Sequence, residues 1–493
     1  MTETEIKQML VQGERLTLEC KKAKTELPKS VWESYSAFAN TIGGYILLGI
    51  DENRKETDVA KRFTIIGVDN IPKIISDLWN TINSNKVNRN ILLDSDVEIT
   101  TIDGKSIVCI HVPQADWRMK PVFLNENPYK GSFKRNHEGD YHCTEMEVRA
   151  MIRDANEDGN DGGLLDAFTL DDIDTNTLHG YRNQFRILNA DHDWNDKDDK
   201  EFLRLLGGYT KNRQTGKEGL TVAGLMMFGT GLAIRERFGN FRMDYLDMSH
   251  LEGEERYRDR LTYDGRWENN LYQFFRIVMP KLTFDLPHPF HMEGYQRVDD
   301  TPQMKAVREG FTNSIIHSDL FLDSGILRME KHDDCLCLRN PGNLKLPIEN
   351  IYEGGVSKAR NPRIQNMLRM IGYGENIGSG FPKIISAWQK AGWGKPELID
   401  KYELQEVELR LPIPNETGGQ TSGQTGGQTG SPKTIEKVFE LIKDNPYITR
   451  QELVDKIGIK ASAIQKHIEK LKAQKRIERV GSSTFGGHWD IKE

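Results

Sequence analysis

Apolar and polar residues alternate near the start of the chain. Leu16, Leu18 and Cys20 share one face of a short predicted strand, which leaves Glu19 and Lys21 together on the other. Over 29–42 the spacing of Trp32, Tyr35, Ser36 and Ala39 predicts a helix, broken by Gly43-Gly44. The run Tyr45-Ile46-Leu47-Leu48-Gly49-Ile50 has the length of a buried strand and ends at Asp51. Residues 164–290 are mixed. There, 202–206 reads as a helix stopped by Gly207-Gly208, and 220–229 as an apolar segment that packs internally, Met226-Met227 being core filler. Over 304–319, Ala306, Val307, Phe311 and Ile315 form the apolar stripe of a further helix. Residues 325–331 and 335–339 alternate like strands, with Arg339-Asn340-Pro341-Gly342 as a tight turn. Two more helices open after 357–362 and 372–381.

The last 61 residues, 433–493, have the clearest pattern. Ile435, Val438, Phe439 and Ile442 mark one helix, and Thr449-Arg450-Gln451-Glu452 is a capping box that opens a second. After the turn at Gly458-Ile459, a third helix carries Ile464, Ile468 and Leu471 inward. Two strands, Ile477–Gly481 and Gly486–Ile491, complete a winged helix-turn-helix pattern. The outward residues Ser462, Gln465, Lys466 and Lys470 are the types that read base edges or phosphates.

Two polar stretches interrupt these patterns. Residues 156–163 are glycine-rich, and 414–432 repeat GGQT, SGQT and GGQT, a composition that cannot bury enough apolar area to offset its ordering entropy. The expected organisation is therefore 1–155, 164–413, a flexible linker over 414–432, and 433–493. Charge sharpens this division. The chain carries a net −7, yet 433–493 holds 13 Lys and Arg against nine Asp and Glu, about +4, leaving −11 elsewhere. No run of about 18 apolar residues suggests a membrane span, and the acidic residues 1–12 do not read as a leader, so a cytoplasmic protein is expected. Five scattered cysteines, with Cys335-Leu336-Cys337 lacking a second pair, are expected to be reduced thiols rather than a zinc or disulfide framework.

Glu14, Glu19 and Asp51 offer hard oxygen ligands for Mg²⁺ or Mn²⁺; equally, the glutamates can pair with Lys21, Lys22 and Lys24, with Asp51 in a turn. The segments Glu19-Cys20-Lys21, then 36–45 (SAFANTIGGY) and Leu48-Gly49-Ile50-Asp51, together with 105–112, 121–123 and 131–135, resemble the AlbA-like domain of the Schlafen family. The resemblance implies an α+β nucleic-acid-binding domain. It also implies, through Glu14, Glu19, Lys21 and Asp51, the pattern of a metal-dependent RNase in which carboxylates hold the metal and lysine stabilises the oxyanion. Two such lobes act together in the eukaryotic enzymes; one is visible here, so a homo-oligomer is expected.

Glu309 and Asn313, four apart on the 304–319 helix, share a face, and His317 follows at the same interval. Glu-x3-Asn resembles the N-box of the GHKL ATPases, in which Asn holds Mg²⁺ against the triphosphate and Glu orients the attacking water. The later strand pair, the Asn340–Gly342 turn and the glycines Gly374, Gly378 and Gly380 resemble the RecG-like C-terminal region of bacterial AlbA-type regulators. Glycines ahead of a helix admit phosphates to its positive end. The usual Asp-x-Gly-x-Gly is replaced by Asn340-Pro341-Gly342, so Asn340 stands where adenine would be read.

The fold class expected is thus α+β multidomain: an AlbA/Schlafen-like α+β domain, a mixed helical segment with a divergent GHKL-like α/β sandwich, and a C-terminal winged helix. The expected function is a nucleotide-responsive, nucleic-acid-binding regulator of transcription that binds ATP, Mg²⁺ and DNA. The alternatives are a nucleotide-gated metal-dependent RNase, as a defence effector, and an ATP-binding assembly platform whose winged helix holds a protein.

Overall fold

The computed structural model describes residues 1–13, 16–53, 55–286, 292–293, 296–297, 300–374, 380–414, 438–443, 445–446, 448, 450–457, 461–473, 476–480 and 488–492. Two compact units result, Met1–Asn415 and Glu416–Glu493. The linker expected over 414–432 lies almost wholly outside the described residues.

In the first unit, β1 (Leu18–Lys21) pairs parallel with β2 (Gly44–Leu48), and antiparallel β3 (Val97–Ile102) and β4 (Lys105–Val112) complete a sheet of order β1-β2-β4-β3. Alternation along these strands makes two cores. Leu18, Cys20, Leu47 and Cys109 meet Ile6 and Leu10 of α1 (Glu3–Gln12). Ile46, Leu48, Val108 and Ile110 meet Trp32, Tyr35 and Phe38 of α2 (Val31–Asn40) and Ile74 and Leu78 of α3 (Ile71–Ile82). The hairpin β5 (Phe133–Asn136) and β6 (Gly139–His142) is fastened to α2 by buried polar groups. Phe133 N donates to Ser36 Oγ at 3.0 Å, Asn40 Nδ2 to the Phe133 carbonyl at 3.0 Å, and Arg135 N to Thr41 Oγ1 at 2.9 Å. The polar members of the SAFANT run are thus the clasp of the domain. Helix α4 (Glu145–Asp154) follows.

The segment 156–163, expected as a joint, docks onto the later part of the same unit. Asp161 is fully buried, and its Oδ2 accepts from Ile364 N at 2.8 Å, capping α10 (Pro362–Met370) from a distance. Helices α5 (Thr175–Leu188), α6 (Asp199–Leu206), α7 (Val222–Phe228) and α8 (Leu271–Thr283) share one apolar core with the sheet that follows. Gly207 ends α6 in the left-handed conformation, and every residue of α7 is buried.

That sheet has six strands: β7 (Arg242–Asp247), β8 (Asp259–Leu261), β9 (Ile326–Lys331), β10 (Cys335–Pro341), β11 (Glu397–Lys401) and β12 (Glu406–Pro412), in the order β8-β7-β9-β10-β12-β11. Only β7 and β9 run parallel. Helices α9 (Pro302–Ile316) and α11 (Gly380–Ala391) cover one face. Gly310 lets α9 approach closely, since a Cβ there would lie 2.9 Å from Leu409 Cδ2 and 3.1 Å from Leu338 Cδ1.

In the second unit, α12 (Arg450–Ile457), α13 (Ala461–Ala473) and helical residues 438–443 surround Val438, Ile442, Leu453, Ile464, Ile468 and Leu471. Strands β13 (Ile477–Val480) and β14 (His488–Ile491) pair antiparallel as a wing. The fold class is α+β, multidomain, with a winged helix-turn-helix.

Candidate functional site

Strand alternation puts Glu19 and Lys21 on the same face of β1, the face turned towards α2, and both are largely buried. Glu19 Oε1 accepts from Lys21 Nζ at 2.6 Å, and Oε2 accepts from Arg135 Nη1 at 2.6 Å. Arg135 is fully buried, also donates to Asp140 Oδ1 (2.9 Å) and the Leu18 carbonyl (2.7 Å), and stands 5.2 Å from the centre of the Phe38 ring. Asp51 is half-exposed and pairs with Lys22 Nζ at 2.8 Å. Glu14 lies outside the described residues. The described carboxylates are therefore engaged with cations: Glu19 with two, Asp51 with a third. Arg135 enters the sequence reading only as the end of the 131–135 segment and Asp140 not at all, because both are more than a hundred residues from Glu19 and nothing local shows the pairing.

The second candidate is a cleft against α9. Helical spacing brings Glu309, Asn313 and His317 to one wall, and Asn340 and Gly380 join them there. Asn313 Nδ2 donates to Glu309 Oε1 at 3.3 Å. Gly380 opens α11 against this pair, since a Cβ at Gly380 would lie 2.1 Å from Glu309 Oε1. Of the other expected glycines, Gly374 adopts φ +97° and packs on Thr312, Gly342 adopts φ +99° and lines a neighbouring cavity, and Gly378 lies outside the described residues.

Three groups set the electrostatics. Burial, and then Arg360 and Lys345, hold the half-buried His317 down to a pKa of about 4, so its imidazole is neutral near pH 7. Burial, reinforced by Arg360 and Lys358, lowers Lys345 to about 8, its Nζ standing 3.9 Å from the centre of the Trp117 ring. Arg360 is buried and makes paired bonds to Asp154 of α4, at 2.8 and 2.7 Å. It also donates to the His317 carbonyl at 2.8 Å and the Asn343 carbonyl at 2.5 Å. A second cavity shares Asn343, Leu344, Lys345 and Arg360 with the cleft and is lined on its other side by Asn40, Trp117 and Lys120. Burial likewise lowers Lys120 to about 8.

On α13, Gln465 Nε2 donates to Glu469 Oε1 at 2.8 Å, and Lys470 is exposed. The side chains of Ser462 and Lys466 lie outside the described set, as does the expected capping residue Thr449.

Comparison with known proteins divides the chain along these lines. Residues 14–144 match the family model described as Schlafen, AlbA_2, and residues 327–409 match the one described as putative ATP-dependent DNA helicase recG C-terminal. Residues 432–478 match a winged helix-turn-helix DNA-binding model, and residues 149–244 a domain of unknown function. Helix α9 precedes the recG-type range. No curated protein matches the chain. Among solved structures, the DIP2311 protein from Corynebacterium diphtheriae is 15% identical, covering 97% of this chain and 95% of that one with a TM-score of 0.41. The N-terminal domain of a putative ATP-dependent DNA helicase RecG-related protein from Nitrosomonas europaea is 25% identical, covering 29% of this chain and 94% of that one with a TM-score of 0.23.

Proposed function

Because the chain combines a Schlafen AlbA_2 domain, a RecG C-terminal-type ATPase region and a winged helix-turn-helix, we propose that it is a nucleotide-responsive, nucleic-acid-binding regulator of transcription. The observation that carries this reading is the wall between the two cavities. Lys345 and Arg360 belong both to the Glu309/Asn313 cleft and to the cavity bounded by Asn40, Trp117 and Lys120 of the AlbA_2 domain. Arg360 is in turn fixed to Asp154 on α4.

The residues of the cleft suit a nucleotide with a divalent ion. Ile351, Phe381, Ile384 and Leu409 offer an apolar wall for a base, while Lys345 and Lys358 offer cations for phosphates. Asn343 Oδ1 is buried without a hydrogen-bond partner among the described groups, an acceptor suited to a ligand donor. Bound ATP–Mg²⁺ supplies the concentrated negative charge to which such a site responds. Asn313, with its amide NH2 on Glu309, presents its carbonyl oxygen to a hard cation. Neutral His317 adds no competing positive charge, and Asn340 supplies an amide for the base edge.

For the AlbA_2 domain, the engaged state of Glu19 favours binding over metal-dependent cleavage, since an ion would have to displace both Lys21 and Arg135. Titration calorimetry with ATP–Mg²⁺ tests the central reading. Asn313→Ala is expected to weaken binding by roughly tenfold or more; unchanged affinity would remove the nucleotide assignment. Incubation with tRNA and Mn²⁺ tests the rival, and cleavage abolished by Glu19→Gln would replace the binding reading with a nuclease.

A further inference from the structure

Among the described residues, one group of three His, Cys, Asp or Glu side chains brings its ligand atoms within 4.8 Å of one another: Glu330, His332 and Cys337. They stand on the β9–β10 hairpin, where Glu330 lies directly across from Cys337. His332 N donates to the Cys335 carbonyl at 2.9 Å, closing the turn and holding the imidazole beside the strand pair. Cys335 and Cys337, two apart on one strand, share a face, and their sulfurs are 3.7 Å apart.

The distances have chemical content. Zinc–sulfur bonds of about 2.3 Å place two tetrahedral thiolates about 3.8 Å apart, and bonds of about 2.0–2.1 Å to nitrogen and oxygen give an edge of about 3.4 Å. The sulfur pair stands at 3.7 Å, and His332 Nε2 lies 3.3 Å from Glu330 Oε2. Two sulfurs, an imidazole and one carboxylate select a thiophilic divalent ion over Mg²⁺ or Ca²⁺.

Nearby cations do not block the site. Arg339 approaches Glu330 at 3.2 Å but is bonded to Glu408 at 3.0 Å, and Glu408 also accepts from Lys401 and Arg410. Arg328, 3.8 Å from Glu330, is 3.6 Å from Asp244. Each of these cations has a second carboxylate partner, so Glu330 can turn to an ion without leaving a guanidinium unpaired. Glu330 and Cys337 are buried, whereas His332 and Cys335 are partly exposed and leave a way in.

We propose that the β9–β10 hairpin binds one zinc-class divalent ion through Glu330, His332 and Cys337, whose ligand atoms converge, with Cys335, its sulfur 3.7 Å from that of Cys337, turning in as the fourth donor. The site is separate from the nucleotide cleft. Leu336 and Leu338 alternate with the two cysteines and enter the helix-covered core, so the donors occupy the opposite face of the sheet. The ion's role is to tie the turn to both strands, with no part in chemistry at Glu309.

The test uses the full chain, reduced, stripped with EDTA and free of any affinity tag. Competition with a chromophoric chelator should give one Zn²⁺ per chain, and Co²⁺ should produce thiolate-to-metal charge-transfer absorption. Cys337→Ser and His332→Gln should each weaken Zn²⁺ binding about tenfold or more and diminish the Co²⁺ signal, with the far-ultraviolet circular dichroism unchanged. Cys335→Ser, at a partly exposed position, guards against a folding defect in the first variant. Cys143→Ser, in the AlbA_2 domain, should leave both readouts intact. An absent Co²⁺ signal, or Zn²⁺ affinity equal in wild type and Cys335→Ser/Cys337→Ser, overturns the proposal.

Discussion

Lys345 shows how one side chain couples burial to ligand chemistry. Its ammonium titrates near 8 because burial and the neighbouring Arg360 and Lys358 disfavour the charge. It is protonated below that pH and neutral above, and only the protonated form attracts phosphate. ATP affinity is therefore expected to fall as pH rises through about 8, and Lys345→Met should flatten that slope. Lys120→Met should leave the slope, because Lys120 lines only the neighbouring cavity; calorimetry across pH 7–9 checks both. Arg135 makes the complementary point in the AlbA_2 domain. Removing it leaves the buried Glu19 with Lys21 alone and takes the cation from Asp140 Oδ1, so Arg135→Ala should cost about 3–5 kcal/mol in that domain's unfolding transition, whereas Arg135→Met/Glu19→Leu should cost much less. Equal loss in the two variants would mean that packing, not charge pairing, is the cause. Glu19, Lys21 and Asp51 were legible as chemically loaded residues because their types and spacing are local. Their partners were not, because Arg135 reaches Glu19 only after a second hairpin has been clasped to α2 by Ser36, Asn40 and Thr41.

At the scale of elements, periodicity located α9, α6 and the strands β9 and β10, since burial on one face imposes a repeat that any window of sequence displays. It also placed Glu309 and Asn313 on one wall, a consequence of helical geometry alone. What periodicity cannot express is closure between distant segments. The 156–163 stretch reads as a joint by composition, yet Asp161 caps α10 and Asp154 grips Arg360, 206 residues away. The β9–β10 hairpin conceals its donors in the same way, because Glu330 and His332 become neighbours of Cys337 only through the turn. Gly380 links the local and the distant. A methyl there would fall on Glu309 Oε1, the movable end of a side chain, while alanine itself favours the start of α11. Gly380→Ala is thus expected to keep the thermal transition within a few degrees while lowering ATP–Mg²⁺ affinity about tenfold. A large loss of thermal stability with intact binding would contradict the close approach of α11 to the Glu309–Asn313 pair.

At the scale of the whole molecule, the charge separation visible in the sequence acquires a structural meaning: the basic segment 433–493 belongs to a unit with its own apolar core. Winged-helix affinity for DNA must then depend on salt, with log K falling by about 0.9 per phosphate contact for each unit of log salt. Loss of 433–493 should remove most of that slope. The regulator reading adds a stricter requirement, because coupling between two ligands is reciprocal. If saturating ATP–Mg²⁺ changes DNA affinity by some factor, saturating DNA must change ATP affinity by the same factor, and Asn313→Ala must reduce both effects together. Fluorescence anisotropy with labelled duplex, titrated with and without ATP–Mg²⁺, gives one arm; nucleotide calorimetry with and without the duplex gives the other. Equal, non-unit factors are expected. Factors of one in both arms, with each ligand binding well, would make the chain a set of independent modules on one polypeptide, and the responsive role would fall even though every domain assignment stood.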